Sequence, residues 1–230
     1  MSDPPSAQAG DAVRLLFRHA IQERMLALFP RGARVLSLGC GAGHDEVVLA
    51  AQGRRVHGVD ASAGKVAGAR ARAAARGLEG LATFHVARPE APSIRGRFDG
   101  AHVDLGAVPP AETAALGVTL TSVLLPGAPV VLRVPGWSPL PALVQRALTG
   151  EVTLVPGDGP TSADPRPRLG AGFRWRPAAG YGVLIPAAAG PWAVRHPQAF
   201  GLLAALERGV RGWPVLRERG HLVILEGRLG

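Results

Sequence analysis

The sequence predicts an α/β fold in which helices cover a mostly parallel β-sheet. Short apolar runs alternate with helical patterns over residues 34–148, and such alternation implies right-handed crossovers between parallel strands. Another apolar run, HLVILEG at residues 221–227, adds a clear last strand. The chain has 230 residues, of which 47% are hydrophobic, so it can bury a core without covalent or metal support.

The first predicted helix covers residues 11–28, because its apolar residues recur on one helical face. Asp11 can cap its start, while Pro30 and Gly32 end it. The apolar face consists of Val13, Leu16, Phe17, Ile21, Met25 and Leu28.

The later elements follow from short apolar runs and from longer segments with helical spacing. The predicted strands are residues 34–38, 55–59, 81–87, 98–104, 129–134 and 221–227, with strand-like pieces in residues 172–185. The predicted helices are residues 44–52, 63–77, 110–124, 138–148 and 191–210, the last with a break at Pro197. Residues 151–170 predict a long loop, because they are rich in Pro, Gly and Asp and show no periodicity.

The charge is strongly basic, with 26 Lys and Arg against 17 Asp and Glu and a formal net charge of +9. Lys65 is the only lysine, and the abundance of Ala, Gly and Pro is typical of a GC-rich coding sequence. Aromatic residues make up 5%, too few for a platform that stacks single strands. We therefore interpret the charge as solvated surface. The acid-free cluster of Arg166, Arg168, Arg174 and Arg176 keeps a nucleic-acid footprint open as the alternative.

Neither membrane insertion nor secretion is expected from this sequence. No run approaches 18 apolar residues, and the start, MSDPPSAQAG, has no basic segment followed by an apolar block. Cys40 is the only cysteine, which excludes an intrachain disulfide and a multi-cysteine zinc site. We expect a cytoplasmic protein with no membrane partner and no metal site.

The most informative segment is RVLSLGCGAGHDEVVLA at residues 34–50. Gly39, Gly41 and Gly43 lie between a buried strand and a helix, where glycine permits a sharp turn and close approach of a ligand to main-chain N–H groups. The second strand ends at Asp60, whose carboxylate can accept hydrogen bonds from ribose hydroxyls. A tight turn with an unrelated Asp is the structural alternative, but the combination favours a nucleotide-like ligand.

The glycines follow G-x-G-x-G, and His44 stands where a dinucleotide fingerprint requires Gly. This loop resembles motif I of the class I S-adenosylmethionine-dependent methyltransferases. The resemblance extends over residues 33–135 and is carried further by VHGVDAS (56–62), FDGAHVD (98–104) and LLPGAPVVLRVP (124–135). The closing HLVILEG is similar to the last strand of that family. A softer resemblance, to small-molecule methyltransferases of bacteria, lies in GFRWRPAAGYGVLIPAAAGPWAVRHP.

The resemblance implies a Rossmann-like, doubly wound sheet of seven strands, mostly parallel with an antiparallel last strand, and helices on both faces. Because no repeat or obvious linker interrupts the chain, we expect a single domain over residues 1–230. Its predicted parts are a disordered tail (1–10), a cover helix (11–30), a cofactor-binding core (33–135) and a loop-rich cover (151–215).

The resemblance also implies S-adenosyl-L-methionine as cofactor and S-adenosyl-L-homocysteine as product. The loop backbone would hold the methionine part through Gly39, Cys40, Gly41 and Gly43. Asp60 would bind the ribose, and Ala61 would pack on the adenine.

Two positions depart from the family pattern. Ser37 stands where the family often has an acid, and Asp45 could compensate for its weaker interaction with the cofactor ammonium. After the third strand the chain has Arg88, which cannot accept a hydrogen bond from the adenine amine. Backbone groups of Ala87 or Arg88, or the Glu90 carboxylate, would serve in its place.

Catalysis is expected beyond the carboxyl ends of the strands, where open α/β sheets bind their ligands. By the resemblance, Asp104 at the end of the fourth strand would contact the acceptor and assist catalysis, with His102 as the second candidate. The plain alternatives are a cap or turn for Asp104 and core packing for His102. Trp137 and Tyr181, together with Asp104, would line the substrate site.

The sequence therefore predicts methyl transfer from S-adenosylmethionine to an oxygen or nitrogen of a small-molecule acceptor. A nucleic-acid methyltransferase is the first alternative, although Asp104-Leu105-Gly106-Ala107 replaces the Asn-Pro-Pro-Tyr type of motif. A non-catalytic S-adenosylmethionine-binding protein is the second. The acceptor, the methylated atom and the oligomeric state stay open.

Overall fold

A computed structural model describes residues 18–92, 94, 96–135, 164–181, 184–185, 195–210, 213 and 222–230. These residues contain five α-helices and eight β-strands. The helices are α1 (residues 18–28), α2 (His44–Ala51), α3 (Ala63–Ala74), α4 (Thr113–Val123) and α5 (Pro197–Val210). The strands are β1 (Arg34–Leu38), β2 (Arg55–Asp60), β3 (Ala82–Val86), β4 (Gly100–Asp104), β5 (Pro129–Pro135), β6 (Phe173–Trp175), β7 (Ala179–Tyr181) and β8 (Leu222–Leu229).

The strands form one mixed sheet in the order β3-β2-β1-β4-β5-β8-β6, with β7 also paired to β8. The first five strands pair with one another in parallel, whereas β6 and β7 run antiparallel to β8. The predicted α/β class with a mostly parallel sheet is therefore confirmed. The predicted number of seven strands is corrected to eight, because the strand-like region 172–185 supplies two strands of three residues each.

The chain divides into two compact units. One, called the sheet unit here, comprises residues 22–133, 163–176 and 225–230, and the other comprises residues 1–21, 134–162 and 177–224. The expected single domain with its tail and cover segments is not decided by this division and stays a prediction. The tail, the predicted helix 138–148 and residues 151–163 lie outside the described residues.

The core of the sheet unit explains why its central strands are apolar without alternation. Residues 35–38 of β1 and 130–132 of β5 are all buried, which requires cover on both faces because neighbouring side chains point to opposite sides. Helices α2 and α3 pack on each other and on β2 and β3. The largest fully buried side chains are Met25, Phe29, Leu36, Leu38, Leu49, Phe98, Leu116, Leu120, Leu124 and Leu132.

Several predicted elements begin or end one to three residues from their predicted limits. Helix α3 ends at Ala74, and Gly77 follows with a φ of 63°, a conformation that ends helices. Phe98 makes only an isolated bridge to Leu124, so β4 begins at Gly100. Helix α5 begins at Pro197, consistent with the predicted break there, because proline fits the first turn of a helix.

Arg54 joins the end of α1 to the connection between α2 and β2. Its side chain is buried, and it donates hydrogen bonds to the carbonyl oxygens of Leu26 (2.9 Å), Phe29 (2.8 Å) and Gln52 (2.7 Å). The last carbonyls of a helix lack partners within the helix, and a cation near them interacts favourably with the negative end of the helix dipole. One guanidinium therefore donates to three carbonyl groups, two of them at the end of α1.

Replacing Arg54 by alanine is expected to lower the free energy of unfolding by about 3 kcal/mol, since a hydrogen bond to a charged group contributes about 1.5–3 kcal/mol. Arg55→Ala is the matched control, because Arg55 is exposed at the start of β2, and it should change stability by less than about 0.5 kcal/mol. Urea unfolding of both variants measures the difference. Equal stability of the two variants would contradict the role of Arg54.

Candidate functional site

The glycine-rich loop connects Leu38 at the end of β1 to His44 at the start of α2. Gly39, Gly41 and Gly43 have φ values of 77°, 55° and 72°, in the left-handed region that other residues adopt at a cost. This backbone geometry explains the G-x-G-x-G spacing. The loop is anchored to β2, because the N–H groups of residues 39 and 40 both donate to the carbonyl of Val59, at 2.8 and 3.0 Å.

Two of the three glycines are packed and one is open. A Cβ atom at Gly39 would lie 2.7 Å from the Cβ of Ala107 and 3.0 Å from the carbonyl oxygen of Asp104. A Cβ atom at Gly43 would lie 2.7 Å from the Cβ of Ala69 on α3. At Gly41 none of the residues that the structure describes lies within 4 Å of such an atom. Among these residues the middle of the loop is therefore open, while its two ends pack on β4 and α3.

Asp60 holds this open part of the loop from the end of β2. The side chain is buried, with Oδ2 accepting from the N–H of Gly41 and Oδ1 from the N–H of Ser62, each at 2.9 Å. Each carboxylate oxygen can accept a second hydrogen bond. Ala61, the predicted adenine contact, follows as an exposed residue.

The start of α2 carries two acids, and each forms a hydrogen bond with another side chain that the sequence analysis did not predict. Gly43 provides no side-chain cap, and Asp45 and Glu46 lie in the first turn, where negative charge stabilises a helix. Asp45 accepts a hydrogen bond from Nε2 of Gln22 at 2.7 Å. The partner of Ser37 is Glu46, whose Oε1 accepts from Ser37 Oγ at 2.6 Å. The predicted cofactor role of Asp45 stays a prediction.

Sequence reasoning missed Glu46, although one signal was present. Glu46 lies three and four residues before Leu49 and Ala50, and such residues share one helical face. All three are buried. An acid on the apolar face of a helix is unusual, because burying a carboxylate requires a partner.

Beyond β3, the residues predicted near the adenine form an ionic cluster. The N–H of Ala87 donates to the carbonyl of Asp60 at 3.1 Å. Arg88 is exposed, donates from Nε to Oε1 of Glu90, and lies 3.4 Å from the Glu112 carboxylate. The hydrogen bond to Glu90 raises the pKa of Arg88. The carboxylate of Glu90 is buried, and its Oε2 has no hydrogen-bond partner within the described part of the chain.

Asp104 ends β4 beside Arg133 of β5, its partner in the strand register. Oδ1 accepts from the N–H of Gly106 at 2.9 Å and caps a short 3-10 turn, and Oδ2 lies 3.4 Å from Nη1 of Arg133. Asp104 therefore acts as the cap that the alternative prediction gave it, and it also forms an ion pair with Arg133. Arg133 was also missed, although an arginine inside the apolar run PVVLRVP was a signal.

His102 lies below Asp104 and is fully covered. Its Nδ1 is 3.4 Å from Ser37 Oγ and 3.8 Å from Oε1 of Glu46. Burial acts to lower the pKa of the His102 imidazole, but the hydrogen bond and the charge of Glu46, with smaller effects of Asp45 and Asp104, raise it above its ordinary value. The proposed catalytic use of His102 is untested by this geometry and stays a prediction.

Cys40 is a buried thiol in the same loop. Burial, assisted by the charges of Glu46 and Asp60, raises its pKa, so it stays protonated and is not a thiolate nucleophile.

Of the predicted aromatic walls, Trp137 lies outside the described residues, and Tyr181 is described only in its backbone within β7. Over the described ranges, no group of three His, Cys, Asp or Glu residues could hold a metal ion. None of the described helices is long and apolar enough to cross a bilayer.

Comparison with known families identifies this loop and its surroundings. Residues 35–127, which include the loop, Asp60 and Asp104, match the family model of a methyltransferase domain. This segment is therefore similar to a methyltransferase domain. The match covers less than half of the chain and contains the first four strands of the sheet.

Solved structures extend the fold of the methyltransferase domain over most of the chain. The [4+2]-cyclase SpnF is 20% identical with a TM-score of 0.60, over 91% of this chain and 80% of that one. A second structure is of a protein linked to the conversion of a disulfide bond into a thioacetal group during echinomycin biosynthesis. It is 25% identical with a TM-score of 0.53, over 70% of this chain and 68% of that one. An rRNA methylase from Clostridium thermocellum is 12% identical with a TM-score of 0.54, over 92% and 96%. No curated protein matches this chain.

Gly39→Ala is expected to destabilise the sheet unit, because the added Cβ atom would clash with Ala107 and with the Asp104 carbonyl. Gly32→Ala is the matched control, because Gly32 has a similar φ of 83° and no described residue lies within 4 Å of a Cβ atom built there. Both variants carry the left-handed backbone cost of about 1–2 kcal/mol, and Gly39→Ala should lose about 1–3 kcal/mol more from overpacking. Thermal and urea unfolding measure the difference, and equal losses would contradict the packed role of Gly39.

Proposed function

We propose that this protein is a methyltransferase that uses S-adenosylmethionine as donor and methylates an oxygen or nitrogen of a small-molecule acceptor. The observation that carries the proposal is the loop of residues 39–43, in which Gly41 has open space beside it among the described residues and its N–H is held by the buried Asp60 carboxylate. This arrangement supplies close backbone approach and hydrogen-bond acceptors at one point, which a nucleoside with an amino-acid tail requires.

The residues present fit the proposed cofactor. Asp60 retains acceptor capacity on both oxygens for ribose hydroxyls. Oε2 of Glu90, which has no hydrogen-bond partner among the described residues, can accept from an adenine amine. The first-turn N–H groups of α2 favour a carboxylate, and Gly39, Cys40, Gly41 and Gly43 would pass along the methionine part. When bound, the cofactor supplies an electrophilic sulfonium methyl group.

Asp104 is our proposed acceptor-orienting group. One of its oxygens is fixed by Gly106 and the other faces Arg133, so the carboxylate is held at the carboxyl end of β4 with capacity to accept one more hydrogen bond. An acceptor hydroxyl or amine bonded there would be aligned, and its proton could pass to the carboxylate as the new bond to the methyl forms. The predicted roles of Trp137 and Tyr181 in substrate binding stay predictions.

The class of acceptor rests on a separate argument. The protein of echinomycin biosynthesis, 25% identical, is linked to the conversion of a disulfide bond into a thioacetal group, and this chemistry supports a small acceptor here. The rRNA methylase and the cyclase share the fold at lower identity, so fold alone admits a nucleic-acid acceptor or another activity. A panel of alcohols, amines and oligonucleotides with labelled donor discriminates among them. Transfer to oligonucleotides alone would favour the nucleic-acid candidate.

Asp60→Ala is expected to weaken S-adenosylhomocysteine binding by at least about tenfold, because a hydrogen bond to a charged group is worth about 1.5–3 kcal/mol and 1.4 kcal/mol is tenfold. Asp99→Ala is the matched control, since the Asp99 carboxylate also accepts from a backbone N–H, that of Arg34. Asp99 lies just before the first residue of β4, whereas Asp60 lies at the carboxyl end of its strand. Calorimetry compares the affinities. Unchanged affinity in Asp60→Ala would remove Asp60 from the binding site.

Asp104→Asn is expected to reduce kcat by about 10²–10⁴-fold if the carboxylate takes the acceptor proton. A smaller loss is expected if it only orients the acceptor, because an amide oxygen still accepts. Single-turnover rates with an acceptor from the panel measure this, after calorimetry and thermal unfolding show unchanged cofactor affinity and stability. Near-normal rates in both Asp104→Asn and Asp104→Ala would exclude the role.

A further inference from the structure

We propose that Glu46 is a positioning residue that fixes the shape of the glycine-rich loop through a buried contact with Ser37 and His102. The proposal deepens the proposed function, because that loop is the one assigned to the cofactor. It rests on three side chains from three different elements of the sheet unit: β1, α2 and β4.

The contact closes the loop at its base. Ser37 precedes the loop and Glu46 follows it, and the 2.6 Å hydrogen bond from Ser37 Oγ to Glu46 Oε1 joins the two sides. Both side chains are buried, so water does not compete for this bond. The loop is thus held at its base by Ser37 and Glu46 and at its middle by Asp60 through the N–H of Gly41.

His102 supplies the second partner that the buried carboxylate needs. Ser37 Oγ has one hydrogen, which it donates to Glu46, so the 3.4 Å contact with His102 Nδ1 assigns an N–H to that nitrogen. Nδ1 also lies 3.8 Å from Glu46 Oε1. In the described part of the chain, Oε2 of Glu46 and Nε2 of His102 have no hydrogen-bond partner. The carboxylate and the imidazole therefore depend on each other.

The cluster also links the loop to the proposed acceptor site. Ser37 and His102 are partners in the register of β1 and β4, and Asp104 follows His102 by two residues on the same strand. Gly39 packs against the Asp104 backbone at the other side. Fixing Glu46 against both strands therefore sets the position of the loop relative to the end of β4.

The contact is linked to pH through His102. The charged or titratable groups facing the pair are Asp45 on α2, Asp104 on β4, and Cys40 in the loop, which also faces Asp60 on β2. Because the pKa of His102 is raised in the folded protein, its protonated form stabilises the fold below the ordinary pKa of histidine. This stabilisation is lost as pH rises through the raised pKa, which leaves the Glu46 carboxylate without its counter-charge.

Amide hydrogen exchange of residues 39–43 tests the proposal without any ligand, and calorimetry with S-adenosylhomocysteine tests its consequence. Ser37→Ala and Glu46→Ala should each raise exchange of the loop amides by about tenfold or more and weaken the ligand by about tenfold. Glu46→Gln keeps an acceptor oxygen and should have a smaller effect. The double variant Ser37→Ala/Glu46→Ala should be no worse than Glu46→Ala alone, because both remove the same bond.

Ser122→Ala and Glu79→Gln are matched controls, since both residues are exposed and lie far from the loop in the chain. The pH arm compares wild type with His102→Gln and with His85→Gln, an exposed histidine of β3. Loop protection and affinity should fall with rising pH in wild type and His85→Gln, and the fall should be absent in His102→Gln. Ratios to the controls at each pH remove the intrinsic pH dependence of exchange and of the ligand.

Unchanged loop exchange in Ser37→Ala and Glu46→Gln overturns the positioning role even if Glu46→Ala fails to fold. A wild-type protein that does not bind S-adenosylhomocysteine would instead count against the proposed function, while loop exchange still decides the role of Glu46. A fall with pH that persists in His102→Gln overturns the link to that histidine.

Discussion

The hydrogen bond from the N–H of Gly41 to the Asp60 carboxylate is the contact on which the candidate site depends. It joins the middle of a loop whose three glycines all have positive φ to the end of the neighbouring strand. A loop with three glycines loses much conformational entropy on folding, so hydrogen bonds to neighbouring elements are needed to hold it in one conformation. The same carboxylate accepts from Ser62, which places the start of α3 relative to the loop.

Buried charge in the sheet unit is paired across elements. Glu46 meets Ser37 and His102, and Glu226 on β8 lies 2.7 Å from Arg24 of α1. Forming each pair requires the desolvation of two polar groups, which is unfavourable. Removing one partner of a formed pair is strongly destabilising, since the other charge would remain buried alone. Such contacts therefore specify which helix lies against which strand more than they add net stability. At the loop, this specificity coincides with the proposed cofactor site.

The arginines provide structure as well as charge. Arg54 donates to three carbonyls, Arg70 donates twice to the carbonyl of Phe84, and Arg97 donates to that of Leu124. Arg34 lies over the ring of Phe98, 5.2 Å from its centre, in a cation–π arrangement. With Lys65 as the only lysine, arginine is the residue that supplies multidentate donors throughout this chain, because its planar group can reach several carbonyls at once.

The sequence by itself determined the strands β1 to β5 and β8, the helices α2 to α5, the glycine-rich loop and the place of Asp60 at the end of β2. These features depend on apolar periodicity and on backbone conformations that neighbouring residues dictate. The short strands β6 and β7 were visible only as strand-like pieces, because three residues form a strand only where a distant partner, β8, offers its edge. Only the tertiary structure decided that Glu46 meets Ser37 and His102 and that Arg133 meets Asp104. The register of neighbouring strands and the packing of α2 create these contacts between residues far apart in sequence, and no local pattern encodes such distances.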